Sequence, residues 1–228
     1  MSYFISFEGG EGTGKSTQIK ILEQKINSSN YKCLVIQEPG TTKLGNNLRN
    51  LLKKETTIDD SITYLSELLL FSAARSELVT KVIKPNLDKD KVIIIADRYV
   101  DSTTAYQGFG RKLELSQVEL INNIATGMIY PDITFLLDSD PEIMSKRITP
   151  IKNSSDKNTP SKTFRNDKKG TRKFEEEPID FHNRVRIGYL EILKASPNRI
   201  IKINAHQDKY KIANLIWNNL NKRIPDIS

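Results

Sequence analysis

The sequence predicts an α/β fold, a doubly wound five-stranded parallel sheet flanked by helices. Short, nearly continuous apolar runs alternate along the chain with stretches of helical apolar spacing. Strands buried on both faces of a parallel sheet read as such runs. The first run leads into the glycine-rich residues 9–14 and then a helical pattern, the strand–loop–helix order of doubly wound folds. The 228 residues, 37% hydrophobic and 28% charged, suit a single domain over 1–228 and are too apolar for a disordered chain.

Strands are predicted over 3–7, 33–37, 92–96, 133–137 and 200–203, each an apolar run. The helix from Lys15 to about Ser29 carries Ile19, Ile21, Leu22 and Ile26 at helical spacing. A second runs over 61–83 with a dense apolar face and is expected to stop at Pro85, because the residue before a proline is disfavoured in a helix. Ser116, with Glu119 three residues on, reads as a capping box. Further helices are expected over 179–195 and 209–220. Residues 150–177 break the pattern: they are polar and nearly free of apolar side chains. They cannot bury a core and read as a mobile lid inserted between two helices. For 153–166, a solvated linker without a role is an equal alternative.

Lys and Arg number 35 against 28 Asp and Glu, a net charge of +7. The basic residues are mostly interleaved with acids, so no nucleic-acid partner is expected. No run approaches the ~18 apolar residues of a membrane span, and the N-terminus lacks the basic start of a signal peptide. Cys33 is the single cysteine and cannot form an internal disulfide, which fits a reducing cytoplasm.

The strongest chemical signal is Gly9-Gly10-Glu11-Gly12-Thr13-Gly14-Lys15-Ser16, followed by Thr17. This is G-x-x-x-x-G-K-[ST], the P-loop, whose backbone N–H groups and following helix N-terminus cradle phosphates. Lys15 can reach the β- and γ-phosphates, and the Ser16 hydroxyl can ligand Mg²⁺. The run 92–96 ends in Asp97, followed by Arg98. The carboxyl ends of parallel strands line the ligand crevice, so Asp97 should face the phosphates and the Mg²⁺ shell; a helix cap with a surface ion pair is the alternative. Glu8 ends the first strand and should face the same crevice. Asp138 ends the fourth and reads better as a helix cap before Pro141.

A P-loop alone does not select an acceptor. Glu38-Pro39-Gly40, Arg49, the segment from Phe71 to Arg75, and Arg98 with Ser102, Tyr106 and Gln107 supply three arginines and two aromatics. That set suits a phosphate attached to a flat base, although singly each side chain reads as well as core or solvated surface.

Taken in order, the motifs resemble the bacterial type of the thymidylate kinase family. That family carries FEGxEGxGKST, REPGGT, LR, FxAAR, DRYxxSxxAYQG and PDxTxxLD. This chain has FEGGEGTGKST, QEPGTT, LR, FSAAR, DRYVDSTTAYQG and PDITFLLD. The resemblance covers residues 3 to about 149 closely and resumes over 174–189. It implies transfer of the γ-phosphate of ATP to dTMP, giving dTDP and ADP, with Mg²⁺. The loop residues Gly10, Glu11, Gly12, Thr13, Gly14, Lys15, Ser16 and Thr17 would bind ATP, with Ser16 and Asp97 reaching the metal through phosphates and water. Glu8, Glu38, Pro39, Arg49, Phe71, Arg75, Arg98, Ser102, Tyr106 and Gln107 would form the acceptor site. Phe71 would stack on thymine, Arg75 reach the base or its phosphate, Arg49 and Arg98 hold that phosphate, and Tyr106 lie near the sugar. The family is usually a homodimer.

Two residues depart from the family pattern, Gln37 before Glu-Pro-Gly and Thr41 in place of a glycine. The P-loop holds no arginine, so the positive charge for the moving phosphoryl group is expected from the lid. That segment has eight Lys or Arg against five Asp or Glu, a net of +3. Arg147 is the first candidate as a catalytic residue, ahead of Arg172 and Arg165. The runner-up function is a kinase for another nucleoside monophosphate such as dUMP. A catalytically silent nucleotide-binding module is a further alternative, opposed by intact Lys15, Ser16, Asp97 and Arg98.

Overall fold

A computed structural model describes residues 1–53, 62–148, 174 and 176–227, with the backbone alone at 53 and 145–148. Five strands, β1 (Tyr3–Glu8), β2 (Lys32–Gln37), β3 (Val92–Asp97), β4 (Ile133–Asp138) and β5 (Ile200–Asn204), form one sheet in the order β2-β3-β1-β4-β5. All pairings are parallel. The sheet is the five-stranded parallel one that the apolar runs predict, with helices on both faces.

Side chains alternate between two cores. Ile5 and Phe7 face one side with Ile93, Ile95, Phe135 and Ile203, under α1 (Lys15–Asn27) and α9 (Lys209–Arg223). Phe4, Ile94 and Ala96 face the other, under α3 (Tyr64–Leu78) and the π-helical turn Val79–Ile83. Each fully buried Ile or Phe contributes about 1.5–3 kcal/mol, which is why these runs are apolar on both faces. The register pairs Phe7 with Asp97 and Glu8 with Leu136, so Glu8, Asp97 and Asp138 end on one edge. From β1 the chain goes to β2 at one side, and from β3 it crosses to β4 at the other. The crevice therefore lies where the ends of β1 and β4 are neighbours.

Four expectations are corrected. Pro85 does not stop the long helix. The backbone widens to π register over Val79–Ile83, with the Lys84 N–H on the Val79 carbonyl, and Pro85 then falls in the first turn of α4 (Lys84–Leu87), where its missing N–H costs nothing. The same helix begins at Tyr64, capped by Thr63, and residue 61 lies outside the described residues. The Ser116–Glu119 box does not form. Helix α6 (Leu115–Thr126) starts one residue earlier at an uncapped Glu114, so Ser116 sits inside the first turn and turns its hydroxyl to the Glu114 carboxylate, 3.4 Å away. Asp138 caps nothing. Asp140 accepts the Glu142 N–H at 2.9 Å at the start of α7 (Pro141–Ile148), while Asp138 takes two guanidinium nitrogens of Arg186 at 2.9 and 3.3 Å.

Two more helices, α2 (Lys43–Lys53) and α5 (Val100–Thr103), precede a second π-helical stretch, Thr104–Gly110. Helix α8 (Ile179–Ala195) packs on that stretch at two glycines. A Cβ on Gly188 would lie 2.8 Å from the Phe109 ring, and one on Gly110 would lie 2.6 Å from the Phe181 ring. Gly188→Ala is expected to lower unfolding stability by about 1–3 kcal/mol through overpacking, read as a shifted midpoint in urea. A midpoint equal to wild type would show that α8 can move away without loss.

Candidate active site

The loop after β1 is bent by glycines at positive φ, 132° at Gly9, 73° at Gly12 and 89° at Gly14. A Cβ on Gly9 would stand 2.3 Å from the Leu137 carbonyl oxygen, so the close approach of β4 requires glycine there. Helix α1 begins at Lys15 with no side-chain cap and no acid in its first turn. Its first N–H groups and the positive end of its dipole are left for an anion.

Lys15 folds back onto this loop. Its Nζ donates to the Gly9 carbonyl at 3.1 Å and the Gly10 carbonyl at 2.8 Å. Burial, reinforced by Arg98, lowers its pKa to about 8. A phosphate in the loop would supply the counter-charge that burial withholds. Ser16 Oγ donates to Asp97 Oδ2 at 3.3 Å, so a hydroxyl and a carboxylate converge beside the loop.

Arg98 sits at φ 73°, a left-handed conformation that a non-glycine residue holds at a cost of about 1–3 kcal/mol. Its guanidinium meets both halves of the site. It donates to the Gly9 carbonyl at 2.9 Å and Glu11 Oε1 at 2.6 Å in the P-loop. It also donates to Ser102 Oγ, Tyr189 Oη and Tyr106 Oη, each at 3.2 Å. Burial opposes the Glu11 charge, but Arg98, then Lys15 and the Tyr106 hydroxyl, hold its pKa down to about 2. Glu8 lies beneath, fully buried. It accepts from the Tyr99 N–H at 2.7 Å, Ser102 Oγ at 2.6 Å and Tyr189 Oη at 2.9 Å. Burial, with repulsion from Asp101, pushes its pKa up to about 7.

The acceptor-side candidates gather around α3. Arg75 and Glu38, both buried, form an ion pair. Arg75 also donates to Asn122 Oδ1 at 2.7 Å and Thr103 Oγ1 at 2.6 Å. Burial raises the Glu38 pKa against the pull of Arg75. Glu38 Oε2 and Arg75 Nε are buried without a partner among the described residues. Native cores rarely leave such atoms unmatched, and a water or a ligand group could satisfy both. Phe71 is half-buried, its ring 6.2 Å from that of Phe174. Gln107 is buried and donates to Glu67 Oε1 at 3.0 Å. Arg49 donates to the Pro39 carbonyl at 2.8 Å. With its amide oxygen turned toward Arg49, Gln37 accepts from it at 3.2 Å. Thr41 adopts φ 64° and closes its turn with Oγ1 on the Gln37 N–H at 2.9 Å, so it holds the left-handed conformation that a glycine takes freely.

A cavity of about 420 Å³ opens between the P-loop, the end of β4 and helices α7 and α8, lined by Glu11, Thr13, Ser139, Glu142, His182 and Arg186. Of the expected lid groups, the Arg147 side chain, Arg165 and Arg172 lie outside what is described. Sequence reasoning missed Tyr189, Glu67, Arg111 and Asp101. Their partners lie far along the chain, from 33 residues for Asp101 and Thr134 to 181 for Tyr189 and Glu8, so no local spacing marks them.

With this geometry in view, likeness to known proteins is decisive. The sequence pattern of the family described as thymidylate kinase matches residues 7–216. The chain belongs to the thymidylate kinase family. A thymidylate kinase of Dehalococcoides mccartyi is 42% identical over 221 residues, 97% of this chain and 97% of that protein. One of Synechococcus sp. is 37% identical over 222 residues, 97% and 96% of the two chains. The crystal structure of thymidylate kinase from Ehrlichia chaffeensis superposes with a TM-score of 0.71 at 32% identity, covering 96% of this chain and 98% of that one. This thymidylate kinase-family chain thus has the five-stranded parallel sheet and, in the loop after β1, the P-loop sequence. No described helix is long and apolar enough to cross a membrane.

Proposed function

We propose that the chain transfers the γ-phosphoryl group of ATP to dTMP, giving ADP and dTDP, a step toward dTTP. One observation carries the reading: the Arg98 guanidinium bonds the P-loop (Gly9, Glu11) and the acceptor side (Ser102, Tyr106) at once. A single cation then serves both phosphates. An oxygen of the dTMP phosphate attacks the γ-phosphorus, and the bond to the β–γ bridging oxygen breaks. The attacking phosphate is already anionic, so no base is needed, and positioning with charge neutralisation does the work. Lys15 reaches the β- and γ-oxygens, while Arg49 and Arg98 hold the acceptor phosphate. Phe71 stacks on the base, and Tyr106 lies near the sugar. Arg147, entering the lid of about 150–177, supplies positive charge to the moving group.

Magnesium fits the residues present. Ser16 Oγ and Asp97 Oδ2 offer hard oxygen donors 3.3 Å apart. Magnesium is usually held through one or two carboxylates together with substrate phosphates and water, and a hydroxyl beside a carboxylate suits that role. When bound, it would neutralise charge on the β- and γ-phosphates.

A coupled ADP-release assay with dTMP against dUMP tests the assignment. The 5-methyl group in an apolar slot beside Phe71 should give dTMP an advantage of about 10–200-fold in kcat/KM. Equal values would remove the thymine preference, and no dTMP-dependent ADP release would remove the kinase reading. The reading includes the cytoplasm as its compartment, supported by a free Cys33.

A homodimer belongs to the same reading. Helices α3 and α6 pack side by side and leave Leu65, Leu69, Leu120 and Ile124 48–72% exposed. Large exposed apolar surfaces mark interfaces. Leu120→Asp with Ile124→Asp is expected to convert the protein to a monomer by light scattering; a mass unchanged from wild type would exclude this face.

A further inference from the structure

Glu67, Phe71 and Arg75 recur at four-residue spacing and so share one face of α3. Thr103, Gln107 and Arg111 recur likewise through α5 and the wide helix after it. The two stripes meet: Arg75 donates to Thr103 at 2.6 Å, and Glu67 accepts from Gln107 at 3.0 Å and from Arg111 Nε at 3.2 Å. Phe71, the stacking residue of the proposed acceptor site, is the centre of one stripe, and Gln107 is the centre of the other.

A carboxylate only accepts hydrogen bonds, whereas an amide has one donating and one accepting end. Glu67, 1% exposed, is itself pinned by Arg111, whose Nη1 pairs with Glu177 at 2.6 Å. The Gln107 amide is thereby held with Nε2 on Glu67, and its oxygen points the other way. No described group donates to that oxygen.

We propose that Glu67 is a positioning residue for base selection. By fixing Gln107 Nε2, it presents Gln107 Oε1 as an acceptor to the base lying on Phe71. A pyrimidine with an N–H at ring position 3, thymine or uracil, completes that bond. Cytosine carries a lone pair there and is refused. The inference rests on the reading that this slot takes the base of a nucleoside monophosphate.

Glu67→Gln tests it. The new amide is nearly the same size but can donate to Gln107 Oε1, so the Gln107 amide is free to turn over. With dTMP as substrate and dCMP as substrate or competitive inhibitor, the expected result is a dTMP kcat/KM at least ~10-fold lower, mainly through KM. Discrimination against dCMP should narrow by at least ~10-fold, while KM for ATP moves less than about two-fold. An unchanged preference, or equal losses for the two nucleotides, overturns the proposal. A second arm needs no variant. N3-methyl-dTMP should compete with dTMP on the wild-type enzyme at least ~10-fold more weakly than dTMP itself binds; equal binding overturns the proposal. A wild-type enzyme that does not phosphorylate dTMP would remove the underlying reading instead, a result distinct from an unchanged preference in an active enzyme.

Discussion

Lys15→Met is expected to lower kcat by about 10²–10³-fold, the range for removing one preorganised charge from a transition state, while the protein stays folded. Lys15 rests on the Gly9 and Gly10 carbonyls, and a flexible thioether replaces its stem without opening a core cavity. The stability effect has a definite sign. The folded pKa, about 8, lies below the usual 10.5 for lysine, so the charged amine is worse off folded than unfolded. That cost is fully present below about pH 8 and fades as pH rises past it toward the unfolded value. Lys15→Met should therefore unfold at a temperature equal to or above wild type at pH 7, with the difference shrinking as pH rises from about 8 toward 10.5. A variant that unfolds earlier at pH 7, or that retains turnover within a few-fold of wild type, would contradict this role.

The parts legible in the sequence are those written in local spacing. The P-loop announces itself because phosphate binding needs glycines, a lysine and a hydroxyl within eight residues. The central strands β1, β3 and β4 announce themselves because both faces are buried, which forces continuous apolar runs, and the edge strands β2 and β5 stay apolar enough to follow them. The Ser16–Asp97 contact was readable because the ends of parallel strands share an edge. Where a local rule competed with the rest of the fold, the fold won: the π turn absorbed Pro85, and Arg186 claimed Asp138. What remained hidden was side-chain partnership across the fold. Glu8 takes its hydroxyl partners from Ser102 and Tyr189, 94 and 181 residues away. No periodicity encodes that. The Thr41 departure is explained only by the turn itself, in which a hydroxyl onto Gln37 offsets a backbone conformation that disfavours a side chain.

Arg98→Lys, a change that keeps the charge, is expected to cost about 10³-fold or more in kcat/KM, within the range an arginine can contribute to phosphoryl transfer. The reason is shape. The guanidinium meets five acceptors through Nη1 and Nη2, and it tops the Tyr106 ring at 5.0 Å. An ammonium has three donors on a compact head and cannot span from Gly9 and Glu11 to Ser102 and Tyr106 together. Lysine would keep the shorter reach to Glu11 and lose the acceptor side, so KM for dTMP should rise more than KM for ATP. The positive φ adds a second cost that any side chain at this position bears equally, so it does not confound the comparison. Glu11→Gln supplies the control. Freed from its main carboxylate partner, Arg98 should still bind the acceptor phosphate, and KM for dTMP should change by less than about ten-fold, the loss of roughly one hydrogen bond. If Arg98→Lys instead raises KM for ATP and leaves KM for dTMP unmoved, Arg98 belongs to the P-loop alone and the bridging reading fails.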